Sequence, residues 1–223
     1  EVGYIRLYSF YARAVDDVLE AVQYLKTEGL QKLILDLRYN PGGYLDQAVK
    51  VADLFLKKDD LITYTYGRNS PERYFYDEST GADGLIDIPM VVLMNEWSAS
   101  ASEVVTGALK DNHRTLVVGK KSFGKGSVQE VFNLNEGAGL RLTVARYYTP
   151  SGVCIHEKGI QPDIEVERLT DEEAEAILKK EYNHVSRLNM WLERDPQLKV
   201  ALQYLRGEIS LAGIKKDSVK DDG

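Results

Sequence analysis

Short apolar runs that end in clusters of small residues, each followed by a helical pattern, constrain the fold of this sequence most. The first run is LILDL at 33–37, which leads into NPGG and a helical pattern through Leu56. The second is MVVLM at 90–94, which leads into SASASE and a small-residue helix from about Ser100 to Lys110. Continuous apolar runs are typical of strands buried on both faces, with helices as the connections. The repeat therefore predicts an α/β fold.

The same patterns predict further elements along the chain. Alternating residues predict a strand over 3–9, helical spacing predicts a helix over 14–26, and a short apolar run predicts a strand over 115–118. Two more strands are predicted at 128–132 and 140–148, joined by a glycine-containing turn. Most of the predicted elements thus lie in the first three quarters of the chain.

The composition changes in the last quarter of the chain. Residues 170–205 are charged and helix-favouring, and Pro196 predicts the start of a second helix there. We assign no strand to the polar, tyrosine-bearing stretch 63–83. We therefore expect an α/β core over 1–167, and over 168–223 a helical segment with a polar, frayed tail.

Composition excludes several classes of function. The 28 Lys and Arg residues are outnumbered by 35 Asp and Glu, and the resulting charge of −7 would repel a nucleic-acid backbone. No apolar run approaches the roughly 20 residues that a membrane-spanning helix needs. Cys154 is the only cysteine, so an internal disulfide is impossible. We expect no nucleic-acid partner and no span across a membrane.

Two of the small-residue clusters have both a structural and a chemical interpretation. Ser100-x-x-Glu103 is a capping box, which would satisfy free amides at a helix start. A serine at a helix N-terminus is also well placed for acyl transfer, since free amides there stabilise a developing oxyanion. The glycines of NPGG at 40–43 either supply a tight turn or bring a backbone N–H close to a ligand. Neither cluster alone decides between the two.

A third cluster contains Lys125 between two glycines, with Gln129 four residues later. Residues at this spacing share a face in a helix and in a strand, so the glutamine amide can reach the lysine head. A solvated turn lysine is the alternative. Residues 119–125 also nearly match a phosphate-binding loop, but Gly126 stands where the magnesium-binding Ser or Thr belongs. Nucleotide binding is therefore disfavoured.

The histidines do not suggest a Ser/His/Asp triad or a metal site. His113, His156 and His184 lack a carboxylate at a suggestive spacing. If Ser100 is a nucleophile, its base is then expected to be a lysine. No metal or organic cofactor is required by such a mechanism.

At this point the segments together resemble the C-terminal processing (tail-specific) peptidases. The matching blocks, in the family's order, are LILDLRYNPGG, NEWSASASEVVTGALKD, VVGKKSFGKGSVQ and RLTVARYYTPSG followed by KGIQPDI. With the opening GYIRLYSF they cover residues 3–166. Members of the family usually carry a PDZ domain ahead of this core, and we expect it to be absent from these 223 residues.

The resemblance implies a fold and a set of site residues. The fold would be an open spiral of strand and helix units similar to the Clp protease and crotonase cores. The implied nucleophile is Ser100, the base Lys125 and its assisting residue Gln129. The implied oxyanion-hole amides are those of Ala101 and one NPGG glycine, with Gly42 favoured over Gly43.

A lysine base imposes a physical requirement, because only the neutral amine accepts a proton. A free lysine has a pKa of about 10.4, whereas an effective base at neutral pH needs about 7 to 8. Desolvation achieves such a change only for a well-shielded amine. We therefore expect Lys125 to be buried if the site is in an active conformation.

The resemblance also implies partners and a location. Protein or peptide substrates would be bound by their C-terminal region, and an oligomer or an activating partner is compatible with the family. Export to a periplasm, thylakoid lumen or cell surface is implied in the same way. Two alternatives stay open, a catalytically silent protein that binds apolar ligands or peptides on this fold, and a crotonase-like acyl-CoA enzyme.

Overall fold

The protein is described from a computed structural model. The structure describes the residue ranges 1–67, 70–76, 88–134, 138–170, 172–173, 175 and 194–211. In chain order its elements are β1 Val2–Arg6, α1 Ala14–Thr27, β2 Lys32–Asp36, α2 Leu45–Asp53, β3 Thr63–Gly67, β4 Ser70–Tyr76, β5 Met90–Met94, α3 Ala101–Asp111, β6 Leu116–Gly119, β7 Ser127–Asn133, β8 Gly139–Tyr148, β9 Ile164–Glu165 and α4 Pro196–Arg206.

A parallel five-stranded sheet with the order β1-β2-β5-β6-β9 forms the centre of the fold. Side chains of β2 alternate between its faces, because successive residues of a strand point in opposite directions. Leu33 and Leu35 pack in the core that contains α1, α2 and α3. Ile34 packs on the other face, in a cluster with Leu198 and Ala201 of α4. Helices therefore cover both faces, as the apolar runs required.

A second, antiparallel sheet has the strand order β4-β3-β8-β7. Its strands β3 and β4 lie in the stretch 63–83, where no strand was assigned, so that interpretation was wrong. The reason in β3 is that tyrosine and threonine serve as the buried residues of the strand. Tyr64 is buried and stacks on Tyr148 at a ring distance of 5.2 Å. The predicted strands 128–132 and 140–148 correspond to β7 and β8.

Helix α4 begins at Pro196, as predicted. Asp195 caps it by accepting hydrogen bonds from the amides of Gln197 and Leu198, and Gly207 ends it in the left-handed conformation.

The remainder of the predicted helical segment, the polar tail and the turn residues 135–137 lie outside the described residues. The boundary at 167 stays a prediction, whereas the α/β class is confirmed. The described helices include none with the length and apolarity of a membrane span.

Candidate active site

Ser100 lies in the sharp turn between β5 and α3. Its backbone has φ 57° and ψ −115°, a conformation that side-chain-bearing residues rarely adopt and that costs about 1–3 kcal/mol. The Ser100 amide donates a hydrogen bond of 2.7 Å to the carboxylate of Glu103. The serine itself is half-buried. A strained strand-to-helix turn is a geometry that presents a nucleophilic serine in other folds.

The NPGG loop packs directly against this turn. A Cβ added at Gly42 would lie 2.8 Å from the Ser100 Cβ and 2.9 Å from the Ala101 nitrogen, so only glycine fits. Asn40 fastens the loop, because its carbonyl oxygen accepts bonds from the Ala99 amide (3.0 Å) and the Ser102 hydroxyl (2.9 Å). The structure thus brings the predicted Gly42, Ser100 and Ala101 together.

The two predicted oxyanion-hole amides differ in their present partners. Within the described parts of the chain, the Ala101 amide at the start of α3 has no acceptor. The Gly42 amide donates to Oδ1 of Asn40 at 2.9 Å. Gly43 lies instead against the Phe10 carbonyl, which a Cβ at Gly43 would meet at 2.2 Å. Gly42 is therefore the glycine beside Ser100, although its N–H already donates a hydrogen bond to Asn40.

The loop that contains Lys125 is fixed beside Ser100 on the other side. The Lys125 amide donates to Oε2 of Glu103 at 2.8 Å, the same oxygen that accepts from Ser100. The Phe123 amide donates to the Ser98 carbonyl at 3.0 Å. The backbones of the predicted nucleophile and base are consequently held in immediate proximity, although 25 residues separate their sequence positions.

The side chains of Lys125 and Gln129 are both exposed. Burial of Lys125 was expected of an active conformation only, so the exposed lysine indicates that this structure is not in that conformation. The cause of the exposure is local, since the lysine lies between two glycines in an extended loop and precedes β7 by two residues. Strand alternation consequently does not bring Lys125 and Gln129 to one face, and the pairing of β7 with β8 shifts register between Val128 and Gln129.

An ionic network anchors the segment just before NPGG to the start of α4. Arg38 donates to both oxygens of Asp36 at 2.7–3.1 Å, to Asp195 at 2.6 Å and to Gln197 at 3.0 Å. Burial alone would lower the pKa of Arg38, but the two carboxylates outweigh it and raise that pKa. Burial and the bond to Asp36 raise the pKa of the Tyr4 hydroxyl in the same network. Sequence reasoning missed this network.

Of the histidines that the structure describes, neither His113 nor His156 is hydrogen-bonded to Ser100, Glu103 or Lys125. His113 follows α3, and His156 lies in the loop that contacts Gly126, whose added Cβ would meet the His156 nitrogen at 2.3 Å. His184 lies outside the described residues. Among the described residues, no group of three or more His, Cys, Asp or Glu is arranged to hold a metal ion.

Comparisons with known proteins identify the family to which the chain belongs. The chain matches the Peptidase family S41 over residues 1–166. It is 40% identical to a carboxy-terminal-processing protease of Bartonella bacilliformis over 242 aligned positions, covering 99% of this chain and 55% of that relative. A carboxyl-terminal-processing protease of Synechocystis sp. is 44% identical over 167 positions, covering 75% of this chain and 38% of the relative.

A solved structure is similar as well. The photosystem II D1 C-terminal processing protease superposes with a TM-score of 0.67 at 36% identity, covering 81% of this chain and 47% of that one. This chain spans about half, or less, of the length of these relatives. From the family match and the identity over almost its whole length, the chain belongs to peptidase family S41 and is related to the carboxyl-terminal-processing proteases.

Proposed function

We propose that this chain is the catalytic core of a serine endopeptidase that cleaves protein substrates near their C-terminus, with Ser100 as nucleophile and Lys125 as base. One observation supports the assignment above the others. A strained serine at a helix start and a lysine from a distant loop have their amides bonded to the same carboxylate oxygen, next to a glycine that leaves room for a bound carbonyl.

In the proposed reaction, the neutral Lys125 amine takes the hydroxyl proton of Ser100 as its oxygen bonds to the substrate carbonyl carbon. The carbonyl π electrons move to oxygen, and the amides of Ala101 and Gly42 stabilise the oxyanion. Collapse expels the C-terminal fragment as an amine, which takes the proton from the Lys125 ammonium. Water, deprotonated by Lys125, then attacks the ester, and the proton returns to Ser100 as the acid leaves.

Two features of the site must change when substrate binds, because Lys125 is exposed and the Gly42 amide already donates to Asn40. A peptide lying across the site would exclude water from the Lys125 amine, which favours its neutral form. The substrate carbonyl would share the Gly42 N–H with Asn40 Oδ1 or replace that acceptor. In this proposal, substrate binding completes the site, so the enzyme is active only against peptides long enough to cover the lysine.

Activity should rise with pH along a single limb, from about pH 6 towards about pH 9, because the competent form of a lysine base is the neutral one and it accumulates as pH increases. The measurement is kcat at saturating peptide against pH, because kcat reports the enzyme–substrate complex in which the lysine is covered, with the fold monitored in parallel. His113→Ala and His156→Ala serve as controls and should leave the limb in place. A limb near about 6.5 that disappears in either variant would make histidine the base.

Gln129 is proposed to orient the lysine amine through its side-chain carbonyl once substrate is bound. Gln129→Ala should give a kcat between that of the unaltered chain and that of Lys125→Ala, since an unoriented amine still accepts a proton. Steady-state kinetics on several peptides measure the effect. Glu130→Ala, on the next residue of β7, is the matched control. Full activity of Gln129→Ala on every peptide would show that Gln129 has no part in the reaction.

The second candidate function is a catalytically silent protein that binds peptides or apolar ligands on the same fold. It is favoured by the exposed Lys125 and by the Gly42 amide that already donates to Asn40. Incubating the chain with peptides that end in a free carboxylate separates the two candidates. Bound peptide recovered intact supports the binding protein, and new C-termini that Ser100→Ala does not generate support the peptidase.

The relatives supply the proposed substrate class and location. They are named for processing carboxyl termini, and several are chloroplastic or cyanobacterial. We propose that this chain likewise trims protein C-termini, and that it does so after export to a periplasm, a thylakoid lumen or a cell surface. Comparing the C-termini of cellular proteins with and without the active enzyme would identify the substrates.

A further inference from the structure

Glu103 is a fully buried glutamate one turn into α3. Glutamate is among the residues least often found fully buried, because its carboxylate loses water on burial. Such a burial is tolerated when both oxygens find hydrogen-bond donors. The hydrogen-bond donors to the Glu103 carboxylate therefore show which segments of the chain it connects.

The four donors come from the two segments that contain the proposed nucleophile and base. Oε2 accepts from the amides of Ser100 (2.7 Å) and Lys125 (2.8 Å). Oε1 accepts from the hydroxyl of Ser122 (2.6 Å) and the amide of Gly124 (2.7 Å). Since one oxygen contacts both the Ser100 and Lys125 nitrogens, those nitrogens lie no further apart than the sum of its two distances.

A capping role alone does not account for this arrangement. A helix cap needs one acceptor for the amide before the helix, and Oε2 supplies it to Ser100. Three of the four donors lie instead in the loop 122–125, remote in sequence and not part of any helix. The glutamate therefore links the loop 122–125 to the turn at Ser100, in addition to capping its own helix.

We propose that Glu103 is a positioning residue for the Ser/Lys reaction, and that it sets the approach of the Lys125 amine to the Ser100 hydroxyl by holding both backbones on one carboxylate. This inference rests on the proposed peptidase function. The chemistry is sensitive to such a link, because a displacement of about 1 Å in a reacting pair can cost about 100-fold in rate. Glu103 itself touches no substrate in this scheme.

Glu103→Gln tests the proposal with little change of shape. A glutamine has one acceptor oxygen and an NH₂ group that cannot accept, so one of the two pairs of donors loses its acceptor. Hydrogen exchange of the Gly124 amide, or of the Ser100 and Lys125 amides together, should accelerate by about tenfold or more. Glu103→Ala removes all four bonds and should accelerate exchange at all three amides.

The reactivity of Ser100 is measured in a separate experiment from amide hydrogen exchange. The rate at which diisopropyl fluorophosphate modifies Ser100 should fall by about 100-fold in Glu103→Gln, and kcat for peptides should fall similarly while KM changes less than about threefold. Glu173→Gln is the matched control. Glu173 completes an equivalent exposed capping box with Thr170, away from the site, so its loss should change neither rate.

The outcomes separate this proposal from the proposed function. Unchanged exchange at all three amides in both variants would overturn the link, whatever the activity. Faster exchange with unaltered Ser100 modification and kcat would reduce Glu103 to a stabilising residue and overturn its positioning role. If the unaltered chain neither reacts at Ser100 nor cleaves peptides, the peptidase function itself fails and the positioning role falls with it, while the exchange data still report the link.

Discussion

Ser100→Ala, Lys125→Ala and the double variant should all lose peptide hydrolysis to the same residual level, on the order of 10³-fold or more below the unaltered chain. The physical reason is that, in the proposed mechanism, the two residues act in one proton transfer. Removing either partner leaves the other without a role, so the second substitution costs little more. The measurement is kcat/KM for one peptide substrate, with circular dichroism to confirm the fold of each variant.

The controls for these two single variants and their double variant are a lysine and a serine that lie outside the site. Lys121 is an exposed lysine in the same loop, and Ser151 is an exposed serine after β8. Alanine at either position should leave kcat/KM within about threefold. Substantial turnover by Ser100→Ala, or losses of the two single variants that add in the double variant, would mean that the pair is not the catalytic unit.

Arg38→Met should destabilise the protein by about 3–5 kcal/mol, the largest effect on stability that we expect from one side chain outside the apolar core. Asp36 is fully buried, and the side chain of Asp195 is 7% exposed. Without the guanidinium, both carboxylates would stay buried and uncompensated, which costs far more than the ion pairs themselves contribute. Urea unfolding followed by fluorescence measures the loss.

Arg13→Met is the matched control for Arg38→Met. Its guanidinium lies 3.8 Å from Asp16 and 3.6 Å from Glu20, and its side chain is 67% exposed. Solvent screens such pairs, so the expected change is below about 1 kcal/mol. Equal effects of the two substitutions would show that the buried network is not what anchors α4 to β2.

The central sheet was predictable because its strands are buried on both faces. Runs such as MVVLM are apolar throughout, so periodicity and propensity indicate the same element. The strands β3 and β4 were missed because the stretch is polar by composition, and in β3 the buried apolar surface is that of a tyrosine, Tyr64, which stacks on Tyr148. The strand β9 has only two residues, too few for any pattern to register.

The candidate site was predictable in its residues and not in its bonds. The motifs and the family resemblance indicated Ser100, Lys125 and Gly42, and the structure brings these three segments together. Ser100-x-x-Glu103 was recognised as a capping box, but the partners of Glu103 in the loop 122–125 depend on tertiary contact that no local spacing encodes. The exposure of Lys125 was likewise unpredictable, because it depends on what covers the loop rather than on the loop itself.

The bond from Arg38 to Asp195 joins residues that are 157 positions apart in the sequence. A ribosome adds about 5–20 residues per second, so Asp195 is synthesised about 8 to 30 seconds after Arg38. Throughout that interval, the guanidinium beside NPGG lacks one of its two carboxylates, and α4 is not yet present to cover the second face of the sheet. The bonds that tie the segment before NPGG to α4 can therefore form only after residues 195–197 have been synthesised.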